Sequence, residues 1–231
     1  MSPNRARLIP FLALLASCSA LPSRREVSSD SPWIDLHAES VRHLRGYVSE
    51  AFPPPTWRAT PNCFVLNSDG FGSDLMTRET FEDFELEFHY RLSEGGNSGV
   101  LFAVQTDGYY SFMSGPEVQL LDDARHPDGK DPLTSLGALY GLVAPSATAK
   151  ARLRLGDWNE ARLSVYRGQL RFAVNGILLN ESSLAPDAMS SRIAKSKFKN
   201  WAGFYKTPRG HILFQDHGGT SEFCDVRLRA L

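Results

Sequence analysis

Apolar and polar side chains alternate through much of this chain, most clearly over residues 84–92. There Phe84, Leu86, Phe88, Tyr90 and Leu92 alternate with Glu85, Glu87, His89 and Arg91. A period of two is that of a strand with one packed and one wet face, and it puts His89 on the wet face. Residues 158–166 and 169–174 alternate in the same way around Arg167-Gly168. Asn175-Gly176 before Ile177-Leu178-Leu179 marks a two-residue hairpin. Shorter runs at 33–36, 57–59, 63–66, 74–77, 100–104, 137–145 and 223–228 also read as strands, the 137–145 strand ending in a loop. Residues 195–200 form a basic stretch with Lys195, Lys197 and Lys199 and read as loop or rim.

One stretch organises the rest. In Gly115-Pro116-Glu117-Val118-Gln119-Leu120-Leu121-Asp122, Val118 and Leu120 share a face, while Glu117, Gln119 and Leu121 share the other. The apolar pair suits a core. A carboxylate and an amide side by side need water, protein partners or a ligand. Residues 212–217 repeat the arrangement: Ile212, Phe214 and Asp216 alternate with Leu213, Gln215 and His217, before Gly218-Gly219 turns the chain.

Composition fits this pattern. Eighteen glycines, fourteen prolines and 11% aromatic residues suit many short strands joined by tight turns. The expected class is all-β, a two-sheet antiparallel β-sandwich, and 231 residues suit one domain with a sizeable core. A formal net charge of -1 argues against nucleic acid as a partner.

The N-terminus reads as a targeting segment. Arg5 and Arg7 precede a short apolar run, and Leu15-Ala16-Ser17-Cys18 resembles a bacterial lipobox, in which the cysteine is acylated and becomes the new N-terminus. The expected organisation is a signal peptide over 1–18, a tether over 19–32 and one domain over 33–231. Lipid at Cys18 would be the sole membrane contact, on an exported protein of the bacterial cell envelope. Export leaves Cys63 and Cys224 as an even pair in an oxidising compartment, open to a disulfide or to two buried thiols.

Taken in order, Phe81-Glu82-Asp83-Phe84-Glu85-Leu86-Glu87-Phe88, Gly95-Gly96-Asn97-Ser98-Gly99-Val100 and Glu117-Val118-Gln119 resemble the 3-keto-disaccharide hydrolase domain family. Gly137-Ala138-Leu139-Tyr140, Trp158-Asn159, Val174-Asn175-Gly176 and Gln215-Asp216-His217-Gly218 continue the match. The resemblance covers roughly residues 33–231. It implies a concanavalin-A-like jelly roll that binds sugar on a concave sheet. The chain departs from it at Leu36-His37-Ala38-Glu39, where the family has a Phe-Asn-Gly-type turn.

The resemblance also implies a chemistry. Ordinary glycosidases set two carboxylates across the scissile bond, and no Glu-x-Asp-x-Glu strand occurs here. A 3-keto sugar asks for less, because the ketone acidifies the C2 hydrogen. A base removes that proton, donors hold the enolate, the C1 substituent leaves, and water adds. His217 is the leading base, with Glu117 as rival base or as leaving-group acid. Gln119, Asn97, Gln215 and Tyr140 are placed as donors or hydroxyl binders, with Asp216 beside them in substrate binding. Each has a plainer alternative: His217 and Asp216 as turn residues, Asn97 for its tolerance of turn geometry. A glycoside or oligosaccharide is the expected partner, and the alternative is a non-catalytic carbohydrate-binding lipoprotein using the same groove. No cofactor is expected. A divalent metal stays open, although Asp122, Asp123, His126 and Asp128 read as a solvated loop.

Overall fold

The computed structural model describes residues 31–37, 40–69, 73–146 and 154–231. The expected signal segment with Cys18, nearly all of the tether, and Ala38-Glu39 lie outside them. In chain order the strands are β1 (Ile34–Asp35), β2 (Leu44–Gly46), β3 (Trp57–Ala59), β4 (Cys63–Ser68), β5 (Leu75–Thr77), β6 (Phe84–Leu92) and β7 (Asn97–Val104). They continue with β8 (Glu117–Leu121), β9 (Asn159–Tyr166), β10 (Gln169–Val174), β11 (Ile177–Ser183), β12 (His211–Phe214) and β13 (Gly219–Ala230). Two short helices, α1 (Ser40–His43) and α2 (Pro186–Ala194), complete the set.

The strands form two antiparallel sheets, as the alternation predicts. The larger runs β11-β10-β9-β6-β13-β4-β3, with β1 added on β13, and the smaller runs β2-β5-β12-β7-β8. Phe88 and Phe223 from the larger sheet meet Phe214 from the smaller one, with ring centroids 5.7 and 4.9 Å away. Val118, Leu120, Ile212 and Phe214 all join this core, as alternation expects. The hairpin at Asn175-Gly176 has φ of 50° and 76°, the pair of positive values that the turn demands. Cys63 and Cys224 face each other across β4 and β13 and form a disulfide, with Cα atoms 4.0 Å apart.

One local expectation is corrected. Residues 137–145 are not a strand. Gly137 and Gly141 take φ of 77° and 67°, which a strand cannot use, and only isolated bridges tie Leu139 to Val118 and Val143. This turn-rich segment instead runs beside β8. Gln119 N donates to Ala138 O, Gly137 N to Gln119 O and Tyr140 N to Glu117 O, at 2.9–3.0 Å. It therefore covers a sheet edge that would otherwise stand open. β8 itself is buried at every position, its polar face included.

Residues 186–194, for which the sequence pattern assigned no element, form α2. Its nine residues bury only Met189, with Ile193 one turn on packed against the same core, a stripe too short for periodicity to mark. Pro186 in its first turn supplies the preset φ that starts it.

Candidate active site

The smaller sheet positions the site. Glu117 and Gln119 on β8 sit opposite Leu101 and Gly99 on β7. Their neighbours Val118 and Leu120 turn into the core, so these two side chains face away from it. The glycine is a spatial requirement: a Cβ at Gly99 would overlap the Glu117 carboxyl. Asn97 opens β7, and Gln215, Asp216 and His217 follow β12, the next strand over.

All seven residues singled out in the sequence (Asn97, Glu117, Gln119, Tyr140, Gln215, Asp216 and His217) line one cavity of about 810 Å³. That volume suits a small ligand. Three of their amide oxygens, Asn97 Oδ1, Gln119 Oε1 and Gln215 Oε1, are buried with no hydrogen-bond partner among the described residues. Buried amides are normally satisfied, so three orphans around one cavity mark positions where ligand groups would complete the bonding. Asn97 Nδ2 meets His126 Nε2 at 3.4 Å, and Gln119 Nε2 donates to Thr134 O at 3.2 Å. Those contacts orient the two amides.

Burial sets the electrostatics. The Glu117 carboxyl is pushed up to about 8 by desolvation, which outweighs the opposing pull of the Lys197 ammonium; Asp74 and Asp128 add to the rise. At neutral pH it carries its proton. His217 moves the other way: burial lowers its pKa, and nearby His126 lowers it further against its backbone hydrogen bond and two aspartates. It is therefore a neutral imidazole at neutral pH. The cavity thus holds a protonated acid and an unprotonated base together. Burial raises the Tyr140 phenol to about 12, which keeps it a donor, and Lys197 Nζ lies 4.2 Å from the centre of its ring.

Asp216 lines the cavity, but its oxygens serve the fold. Oδ1 accepts from Gly218 N at 3.1 Å, and Oδ2 from Thr56 Oγ1 at 2.8 Å and Ser73 N at 3.3 Å. The turn-capping alternative describes it better than substrate binding. The loop carrying Asp122, Asp123, His126 and Asp128 is also a correction. Asp122 is buried and accepts from Gly95 N at 2.9 Å, Asp123 accepts from Leu136 N at 2.7 Å, and His126 Nδ1 accepts from Asp128 N at 3.2 Å. These contacts brace the loop at buried Asp122, while Asp123, His126 and Asp128 remain partly exposed. No group of three or more His, Cys, Asp or Glu side chains among the described residues is arranged to hold a metal ion.

Sequence reading missed three contributors. Asp74, taken there as a strand residue, is half-buried in the lining; desolvation raises its carboxyl to about 6, and it accepts from the Ser111 hydroxyl and from Asp216 N. Lys197, placed on a rim by its basic neighbourhood, enters the cavity from a short 3-10 turn at Lys197–Asn200. An aromatic wall of Tyr109, Tyr110, Phe112, Trp201 and Phe204 closes one side. The run Tyr109-Tyr110-Ser111-Phe112 in a Gly-containing loop was the available signal for that wall, since it is too aromatic for an idle turn.

Comparison with known proteins agrees with this geometry. A family model described as a 3-keto-alpha-glucoside-1,2-lyase-like domain matches residues 39–229. A Bacteroides thetaiotaomicron protein named 3-keto-disaccharide hydrolase is 30% identical over 217 residues, covering 81% of this chain and 74% of that protein. A crystal structure from Parabacteroides distasonis, provisionally described as a glycosyl hydrolase, superposes with a TM-score of 0.75 at 22% identity. The match covers 86% of this chain and 94% of that one. A carbohydrate-binding module from Bacillus subtilis superposes at 0.51 and 12% identity, over 81% and 96% of the two chains. These two structural likenesses speak for the fold, a concanavalin-A-like jelly roll.

Proposed function

The chain belongs to the 3-keto-alpha-glucoside-1,2-lyase-like family and is an enzyme of glycosidase type, and from that premise we propose that it cleaves 3-keto-glycosides by elimination and hydration. The observation that carries the reading is one cavity lined by both Glu117, whose buried carboxyl keeps its proton at neutral pH, and His217, whose imidazole burial holds neutral. Neutral imidazole takes the C2 proton, which the adjacent ketone has made acidic. The Tyr140 hydroxyl and the amide groups of Asn97, Gln119 and Gln215 hold the enolate oxygen and the ring hydroxyls. As the C1–O bond breaks, Glu117 delivers its proton to the leaving oxygen. Water then adds at C1 of the enone and gives its proton to the Glu117 carboxylate, and the imidazolium returns its proton to C2. Acid and base are restored, with one water consumed and one alcohol released.

The name of the Bacteroides relative favours a disaccharide or similar glycoside as substrate. The test is direct: incubate the purified protein with a 3-keto-glucoside and with its unoxidised parent, and follow release of the alcohol. Release from the keto form alone is the expected result. Equal release from both sinks the elimination route, and release from neither leaves a sugar-binding protein.

Export with lipid attachment at Cys18 is part of the same proposal. Support comes from the Cys63–Cys224 disulfide, a bond that persists in oxidising compartments. The mass of the mature N-terminus, compared between wild type and Cys18→Ala, tests it.

A further inference from the structure

Among the described residues, the large apolar side chains left exposed gather in one place. Val48, Tyr109, Tyr110 and Phe112 all line the mouth of the cavity, whereas Val41 and Leu133 lie outside it. Tyr109 is 79% exposed, Tyr110 49% and Phe112 37%. Their rings form a continuous array. Tyr110 and Phe112 stack with centroids 5.0 Å apart and planes 13° from parallel, Tyr109 stands edge-on to Tyr110, and Phe112 approaches Trp201 at 5.8 Å. Trp201 in turn contacts Phe198 and Phe204, which carry the wall inward.

The loop that bears these rings is bolted down. The Tyr47 hydroxyl bridges Gly108 O at 3.0 Å and Gln105 O at 3.2 Å. The Ser111 hydroxyl donates to Asp74, and Ser114 Oγ donates to Ser111 O at 3.1 Å. The rings are held open to water instead of collapsing onto the sheet, and an apolar patch held so at the mouth of a site marks a binding surface.

We propose that this wall is the leaving-group subsite and that it takes a planar aromatic leaving group, so that aryl 3-keto-glycosides of the phenolic class are preferred substrates. The proposal rests on the cleavage reading above. The choice of an aryl group over a second sugar follows from how polar groups are distributed. The amides, the acid and the base lie on the sheet and at its edge, Asn97, Glu117 and Gln119 on strands and Gln215 and His217 just after β12. The wall itself offers chiefly ring faces, its side-chain polar atoms being the Tyr109 and Tyr110 hydroxyls and the Trp201 indole N–H, and the Tyr47 hydroxyl at its root is already engaged. Hydroxyls of a second sugar would lose water there for few partners, whereas a flat ring gains offset or edge-on stacking over its whole area. In the cleavage the C1–O bond breaks, the proton of Glu117 goes to the phenolic oxygen, and the phenol departs along the wall.

The experiment compares phenyl and methyl 3-keto-glucosides of one anomer, and a 3-keto disaccharide, with wild type, Phe112→Ala and Tyr109→Ala. Calorimetric titration with unoxidised phenyl and methyl glucosides runs in parallel. The wall predicts at least tenfold tighter binding of the phenyl glucoside by wild type. It also predicts a roughly tenfold fall in the phenyl-to-methyl ratio of kcat/KM in Phe112→Ala. Tyr109→Ala removes a largely solvent-exposed ring and should move the ratio the same way if Phe112→Ala does not fold. An unchanged ratio, equal binding of both glucosides, or an equal loss on the disaccharide overturns the aryl assignment. Failure to cleave any 3-keto-glucoside overturns the functional reading instead, and the titration still decides the wall.

Discussion

The two sheets treat the polar side chains of their strands in opposite ways. On the larger sheet Glu85 accepts from Arg162 Nε at 2.6 Å and Arg229 Nε at 2.9 Å, and Glu87 accepts from Arg227 Nε at 2.7 Å. Arg91 meets Glu222 at 2.7 Å, and His89 meets Asp225 at 3.2 Å. Each outward-facing polar side chain of β6 finds a cross-strand partner. On the smaller sheet Gln119 and its neighbours Asn97 and Gln215 keep amide oxygens buried without a partner, and the Glu117 carboxyl is held neutral. The outward charges of the first arrangement satisfy one another. The second leaves amide acceptors facing a cavity, where the hydroxyls of a ligand would find them, and that difference separates a scaffold face from a candidate working face in strands of the same alternating pattern.

The strongest way to break the comparison is to remove chemistry from the working face. His217→Ala and Glu117→Gln should each lower kcat/KM for a 3-keto-glycoside by about 10²–10⁴-fold, the range of general acid–base groups, with thermal unfolding little changed. A twofold loss would demote either residue to structure. Gly99→Ala attacks the same face through space alone. Because the new methyl overlaps the Glu117 carboxyl, activity should fall about 10–100-fold, with about 1–3 kcal/mol of stability lost to overpacking. Kinetics and denaturant unfolding read the two effects separately.

The pH profile of kcat/KM sharpens the assignment of roles. The base must be neutral and its pKa is lowered, so activity falls on acidification only below about 6.5, the ordinary histidine value. The acid must be protonated and its pKa is raised to about 8, so activity falls as pH rises through about 8 and is roughly tenfold down by about pH 9. Glu117→Gln should abolish the alkaline limb of the residual activity. An alkaline limb that survives the substitution belongs to another group. The smallest expected effect is on the scaffold face: Glu85→Gln unpairs two partly exposed arginines and should cost about 1–2 kcal/mol in denaturant unfolding. Turnover should stay within twofold, and a larger drop would mean that the two sheets are not independent.

Much of the site was legible because its residues sit where a strand pattern and a polar side chain conflict. Glu117 and Gln119 stand out against Val118 and Leu120, and Gln215 and His217 against Ile212 and Phe214. Asp74, Lys197 and the aromatic wall gave no such conflict. They reach the cavity from strand ends and loops, where direction is set by what the loop packs on and no period exists to be violated. Asp216 shows the converse. It was as conspicuous as His217, yet its carboxylate is consumed by Thr56, Ser73 and Gly218.

Alternation and turn chemistry are short-range properties, so the sequence alone determined the strands, the hairpin at Asn175-Gly176, the sandwich class and the even pair of cysteines. It also determined which side chains would turn together away from the core. Tertiary structure decided that both faces of β8 are buried, because the cover comes from residues 133–141 and from loops distant in the chain. It brought Asn97, Glu117 and His217 into one cavity from strands that are neighbours in space and far apart in sequence. It also decided that Glu117 keeps its proton and His217 loses its own. Ionisation follows the solvent and charges around a group, and no residue carries that information in its own identity.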